Sequence, residues 1–155
     1  MKKIAAVITA LCLLCLAAAA AAETVLTLDD MPAVVIEDEN TTVDEAAFQG
    51  KWKADKYFVG QTGIEAEELG MEFGLMVPEI RIEDGKVCYN EINEKREPVE
   101  YSAAYNFEAG QIQFMDSAGA SVVIELLEDG NLVVSMFAGE GDETICISAF
   151  MVRAD

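Results

Sequence analysis

From Phe48 onward the chain repeats one pattern eight times: a short apolar run closed by a turn signal. The runs cover about 51–59, 72–83, 86–92, 98–107, 111–115, 120–127, 131–137 and 143–152. Between the later runs stand Asp84-Gly85, Ala109-Gly110, Ser117-Ala118-Gly119, Asp129-Gly130 and Gly139-Glu140-Gly141-Asp142. An Asp-Gly pair between apolar runs is a strong hairpin signal. Connections this short force each strand to pair antiparallel with its sequence neighbour, because a parallel pair needs a long crossover. Closing such a meander, last strand on first, removes the sheet edges and encloses the apolar face. The expected fold is all-β, an eight-stranded antiparallel up-and-down barrel. An open meander or a two-sheet sandwich of the same strands has the same periodicity.

Alternation is clearest over 98–107, where Val99, Tyr101, Ala103, Tyr105 and Phe107 alternate with Glu100, Ser102, Ala104 and Asn106. In the first run Trp52, Ala54 and Phe58 share one parity. The parity of Phe73, Leu75 and Val77 switches to that of Ile80 and Ile82 across Pro78, as a β-bulge there would produce. Thr62-Gly63-Ile64-Glu65 has the form of a capping box, and Gly70 is a good helix stop, so one short helix is expected over 63–69.

The chain begins Met1-Lys2-Lys3, followed by an apolar stretch from Ile4 to Ala22 that ends in small residues. This is the pattern of a secretory signal peptide over residues 1–22, with cleavage before Glu23. A retained anchor is the alternative, as the stretch is near the lower limit for spanning a bilayer. Cys12 and Cys15 each follow a leucine, where a lipid-attachment signal wants a small residue. Residues 23–46 hold many acids and no base, the composition of a self-repelling extended linker, and 47–155 form the barrel domain. Ala33-Val34-Val35-Ile36 is the one run in the linker able to add to the sheet.

Loss of residues 1–22 leaves 8 basic residues against 29 acidic, a net charge of −21, with no histidine. Such a charge repels phosphate backbones and anionic lipid surfaces, which argues against nucleic-acid partners and against membrane association once the signal is removed. A secreted protein is the expectation, its charge serving solubility.

Gly50-Lys51-Trp52-Lys53, Glu68-Leu69-Gly70-Met71, Glu83-Asp84-Gly85 and Leu127-Glu128-Asp129-Gly130-Asn131-Leu132-Val133 resemble the small lipocalin-like domains of secreted proteins from clostridia and related bacteria. The resemblance covers about 48–153. It implies an eight-stranded barrel in which the tryptophan of the G-x-W motif plugs the closed end. The chain is much shorter than large lipocalins, so a roomy cavity does not follow.

The inward parity positions define a candidate ligand-binding set of Trp52, Phe58, Tyr89, Tyr101, Tyr105, Phe107 and Met136. The tyrosines would give an apolar pocket its polar tips. A barrel of eight strands is just wide enough to be filled by its own side chains or to hold one small ligand. Two readings follow: a container for a small hydrophobic or aromatic ligand, or a filled barrel that binds a protein partner through its outer face, as an inhibitor or surface-assembly module would. Catalysis is not expected. Without histidine the commonest general base and metal ligand is missing, and no nucleophile elbow, phosphate loop, paired-cysteine zinc spacing or calcium loop occurs. Glu91 shares the inward parity of Tyr89, Tyr101 and Tyr105 and could act as an acid if buried, but it stands near a strand end where a solvated rim explains it. No cofactor is implied. Cys88 and Cys146 alternate with inward neighbours on strands that do not touch, so both should be outward free thiols.

Overall fold

The computed structural model describes residues 28–59, 62–65, 79–92, 97–117, 119–138 and 145–154. These form an antiparallel, nearly closed barrel of ten strands: β1 (Gly50–Val59), β2 (Thr62–Glu65), β3 (Glu79–Glu83), β4 (Lys86–Ile92), β5 (Pro98–Ala104), β6 (Asn106–Glu108), β7 (Gln111–Met115), β8 (Ser121–Leu126), β9 (Leu132–Ala138) and β10 (Ile145–Arg153). The order around the wall is β5-β4-β3-β1-β10-β9-β8-β7-β6, with β2 beside the second half of β1. Every pair is antiparallel, and β10 lies along β1 from Trp52↔Arg153 to Val59↔Ile147. The meander therefore closes last strand on first, as the turn spacing requires.

Two elements differ from expectation. Thr62–Glu65 is a strand paired with Lys56–Val59, where a helix was expected. The capping-box residues satisfy their backbone on the neighbouring strand instead. The remainder of the expected helix, and Pro78 with its bulge, lie outside the described residues. The only helical pieces among the described residues are two 3₁₀ turns, Leu28–Asp30 and Glu45–Phe48. The second difference is that the expected fourth strand is broken at Tyr105. Its first part pairs with β4 and its last part with β7, and Tyr105 N–H donates instead to Gly85 O at 3.2 Å in the β3–β4 turn.

The parity of β1 also slips, between Ala54 and Lys56, where Asp55 has no partner on β10. The bulge turns Tyr57 inward, opposite Ala149, and places Phe58 opposite Ser148 on the other face. Direct cross-strand partners share a face, so Phe58 is not the inward residue its spacing from Trp52 implied. It is buried all the same, on the outer side of the wall.

Residues 23–46, expected as an extended linker whose run Ala33–Ile36 could add to the sheet, are described from Leu28, and from Ala33 they lie on the barrel. Val34 bridges Leu127, Val35 N–H donates to Leu126 O at 2.8 Å, and Glu128 N–H donates to Ala33 O at 2.9 Å. Asp38 accepts from the N–H groups of Asn40 and Thr41, both at 2.8 Å, and these hold its carboxyl below the usual range. Val43 is buried against the β6–β7 turn. There a Cβ on Gly110 (φ +74°) would lie 3.0 Å from Val43 Cγ2, so the turn needs glycine for conformation and for space. Asp44 caps the turn Glu45–Phe48 by accepting from Ala46 N–H at 2.9 Å.

This segment seals one end of the barrel. Phe48 is fully buried and meets Phe107 edge-on, with ring centroids 5.8 Å apart. Trp52, also fully buried, donates its indole N–H to Phe48 O at 2.8 Å. Arg153, from the last strand, lies 4.0 Å from the Trp52 ring centroid. It donates to Ala47 O at 2.9 Å and to Gln49 O, the last carbonyls before β1. Gly50 explains the first letter of G-x-W: its φ is +121°, and a Cβ there would stand 2.6 Å from Arg153 Nη1.

Arg153→Ala removes two charge-assisted hydrogen bonds and a cation–π contact, and is expected to cost about 1–3 kcal/mol in urea denaturation followed by Trp52 fluorescence. Gly50→Ala is expected to destabilise as well, and the double variant to lose less than the two singles added together, because the clash needs both side chains.

Glu125 is half-buried on the outer wall between Gln111 and Val133, and burial raises its carboxyl above the ordinary 4.5. The folded state thus binds this proton more tightly than the unfolded chain, so the Glu125 contribution to stability falls as pH rises through the carboxylate range. Glu125→Gln is expected to raise the unfolding midpoint at pH 7 and leave it unchanged at acidic pH, which paired thermal melts check.

Candidate functional site

The barrel interior holds an apolar cavity of about 270 Å³, away from the sealed end. Every wall strand except β2, β5 and β6 contributes to it: Tyr57 from β1, Ile80 from β3, Val87 and Tyr89 from β4, Phe114 from β7, Val122 and Ile124 from β8, Val134 and Met136 from β9, and Ile147, Ala149 and Met151 from β10. Asn90 and Asp116 are its polar neighbours. Alternation within each strand sends the apolar and aromatic side chains inward, and burial pushes the Tyr57 hydroxyl well above the ordinary tyrosine range.

The strand missing from the lining leaves an opening. Pairing between β6 and β7 runs through Glu108↔Gln111, Phe107↔Ile112 and Asn106↔Gln113 and then stops. Continued, the ladder would bring Ser102 opposite Ser117. Instead β5 stays with β4, and a slot of about 850 Å³ opens between β5 and β7. Tyr89 crosses its floor from β4. Its ring stacks on Tyr101 at 6.1 Å and 25°, and lies 6.1 Å from Phe114 on the other side. Its hydroxyl accepts from Ser117 N–H at 3.0 Å. That is the backbone donor a continued ladder would use, so the tyrosine takes the place of a strand. The row Tyr101–Tyr89–Phe114 separates the slot outside from the cavity inside, and Tyr89, Phe114 and Asp116 border both.

Of the sequence-derived set, the structure brings Tyr89 and Met136 to the cavity, and Tyr89, Tyr101 and Tyr105 to the slot. Trp52 and Phe107 belong to the sealed end and do not line the cavity. Phe58 faces the other way. The Tyr105 hydroxyl donates to Glu45 Oε1 at 2.6 Å and accepts from Gln49 Nε2 at 3.0 Å. Its pKa is raised by burial and then by Glu45, which fastens the bend between β5 and β6 to the terminal segment. Sequence reasoning missed Tyr57. The signal was Lys56, which strict alternation would have placed in the core beside Ala54 and Phe58, an improbable position for an amine. The Glu91 side chain lies outside the described parts of the structure.

Cys88 and Cys146 are both free and partly exposed. Among the described residues no group of three or more potential ligands is placed to hold a metal ion. Among them, too, no helix is long and apolar enough to cross a membrane. No protein-family model matches this sequence, and no curated protein is significantly similar to it.

Tyr89→Phe keeps the stacked rings and removes the hydroxyl acceptor. It is expected to cost about 0.5–1.5 kcal/mol and to speed hydrogen exchange selectively at the Ser117 amide, as read by NMR.

Proposed function

We propose that this chain is a secreted, lipocalin-like binding protein of clostridial type, without catalytic activity, that holds one small hydrophobic or aromatic ligand inside its barrel. The observation that carries the reading is the cavity inside the barrel, apolar over most of its lining, with the Tyr57 and Tyr89 hydroxyls, Asn90 and Asp116 as its polar groups. An apolar void of roughly 150 Å³ already takes up benzene. The volume here suits a molecule of one or two rings, or a short aliphatic chain, and is too small for the long-chain ligands of roomier barrels. Tyr89, whose ring borders cavity and slot alike, supplies both an aromatic contact and the way in, since no ladder bars the wall beside it. The N-terminal pattern and the charge support export and a soluble life outside the cell.

The test is a titration of the purified protein with 2-naphthol, read through the probe's own emission because Trp52 is sealed away from the cavity. Saturable binding to the wild type is expected. Ala149→Phe, which fills the cavity from β10, should weaken it by about tenfold or more while leaving the far-ultraviolet circular dichroism unchanged. Equal binding by this variant, or no binding by the wild type, would remove the container reading.

A further inference from the structure

The slot has a chemistry of its own, different from that of the cavity behind it. Tyr101 is 37% exposed, an unusual condition for a tyrosine whose parity points inward. One face of its ring is backed by Tyr89 and the slot opens beside it. At the narrow end Asn106 and Gln113 are cross-strand partners, both exposed; Asn106 Nδ2 donates to Glu108 Oε2 at 3.4 Å and Gln113 Nε2 to Gln111 Oε1 at 3.2 Å, and each amide keeps a second N–H and a carbonyl oxygen to offer a ligand. Ser102 adds a hydroxyl on β5. No lysine or arginine lines the slot, and its one acid, Asp116, already accepts from Ala120 N–H at 2.7 Å. Neutral donors and acceptors, no cation and a strongly acidic chain disfavour phosphates and other anions. A single engaged carboxylate gives a cation little to recognise.

We infer that the slot is a binding site for a neutral saccharide, with Tyr101 as the stacking platform and the Asn106–Gln113 amide pair as the hydroxyl-reading edge. A sugar ring is complementary to this lining: an apolar C–H face to lie on an aromatic ring, and a rim of hydroxyls that both donate and accept toward the amides and the Ser102 hydroxyl. An extended peptide fits less well. The two edges flanking the slot run antiparallel to one another, so an added strand would pair parallel with one of them, and they converge at Tyr105, leaving it nowhere to continue. A glycan needs no ladder, and the slot's open side lets a chain of sugars run past it.

The experiment is an NMR titration of the purified protein with four neutral probes, xylohexaose, cellohexaose, maltohexaose and hexa-N-acetylchitohexaose, at millimolar concentration. At least one is expected to shift the amides of Tyr101, Ser102 and Gln113 saturably. Tyr101→Ala should weaken that binding about tenfold, and Tyr101→Phe should retain it. The cavity-filling Ala149→Phe should leave it intact, so loss of the container reading and loss of this one are separable. The inference is overturned if no probe moves the slot amides, if Tyr101→Ala binds as well as the wild type, or if a neutral Ala-Ser repeat peptide moves them when the sugars do not.

Discussion

The contact on which the rest of the structure depends is the one between Arg153 and Trp52. The guanidinium covers the indole, and its N–H groups hold the carbonyls that lead into β1. One side chain thereby ties the last strand, the first strand and the terminal segment together at a point where each would otherwise leave polar backbone unpaired. Trp52 adds its own bond to Phe48 O, so both faces and the edge of the ring are occupied by protein. With this end stoppered, the interior has one side to open on, and both the cavity and the slot lie toward it.

A closed barrel abolishes sheet edges. This one gives up part of that benefit by bending the chain at Tyr105, so that β5 pairs with β4 and β6 with β7. The exposed edge is short and carries Pro98 and Glu100, both poor partners for a stray strand. What stands in the gap is aromatic. Three rings in a row fill the place of missing backbone hydrogen bonds, and the hydroxyl of the middle one restores a bond at Ser117. Side chains can move on faster timescales than a ladder can unzip, which makes this wall the one suited to exchange with solvent.

The wall itself was legible from turn chemistry. Asp-Gly and Ala-Gly pairs set the hairpins, and alternation over Val99–Phe107 named the right face. The free state of Cys88 and Cys146 followed from the same parity. What escaped the reading were places where a local pattern had two physical outcomes. Thr62-Gly63-Ile64-Glu65 carries the residues of a capping box, yet β1 offers those groups a partner strand and wins. Phe58 shares its spacing with Trp52, but the bulge at Asp55 falls between them, and only the awkward position of Lys56 betrayed it. The terminal segment read as a linker because its acids dominate its composition. The few apolar side chains among them, Val34, Val35 and Val43, decide where it lies. For the candidate site, parity located Tyr89, Tyr101 and Met136, but it could not tell a stopper from a lining, and so placed Trp52 and Phe107 with them.

The pairing of β1 with β10 joins the two ends of the domain, and this bears on how the chain comes together. Contacts this distant in sequence form late and slowly, because the intervening loop must close before they repay it. A chain delivered from its N-terminus can build the hairpins β3–β4 and β8–β9 as they emerge, but Trp52 stays uncovered until Arg153 arrives. Until that final strand is out, the indole has no guanidinium over it and the first strand has no neighbour along its far edge.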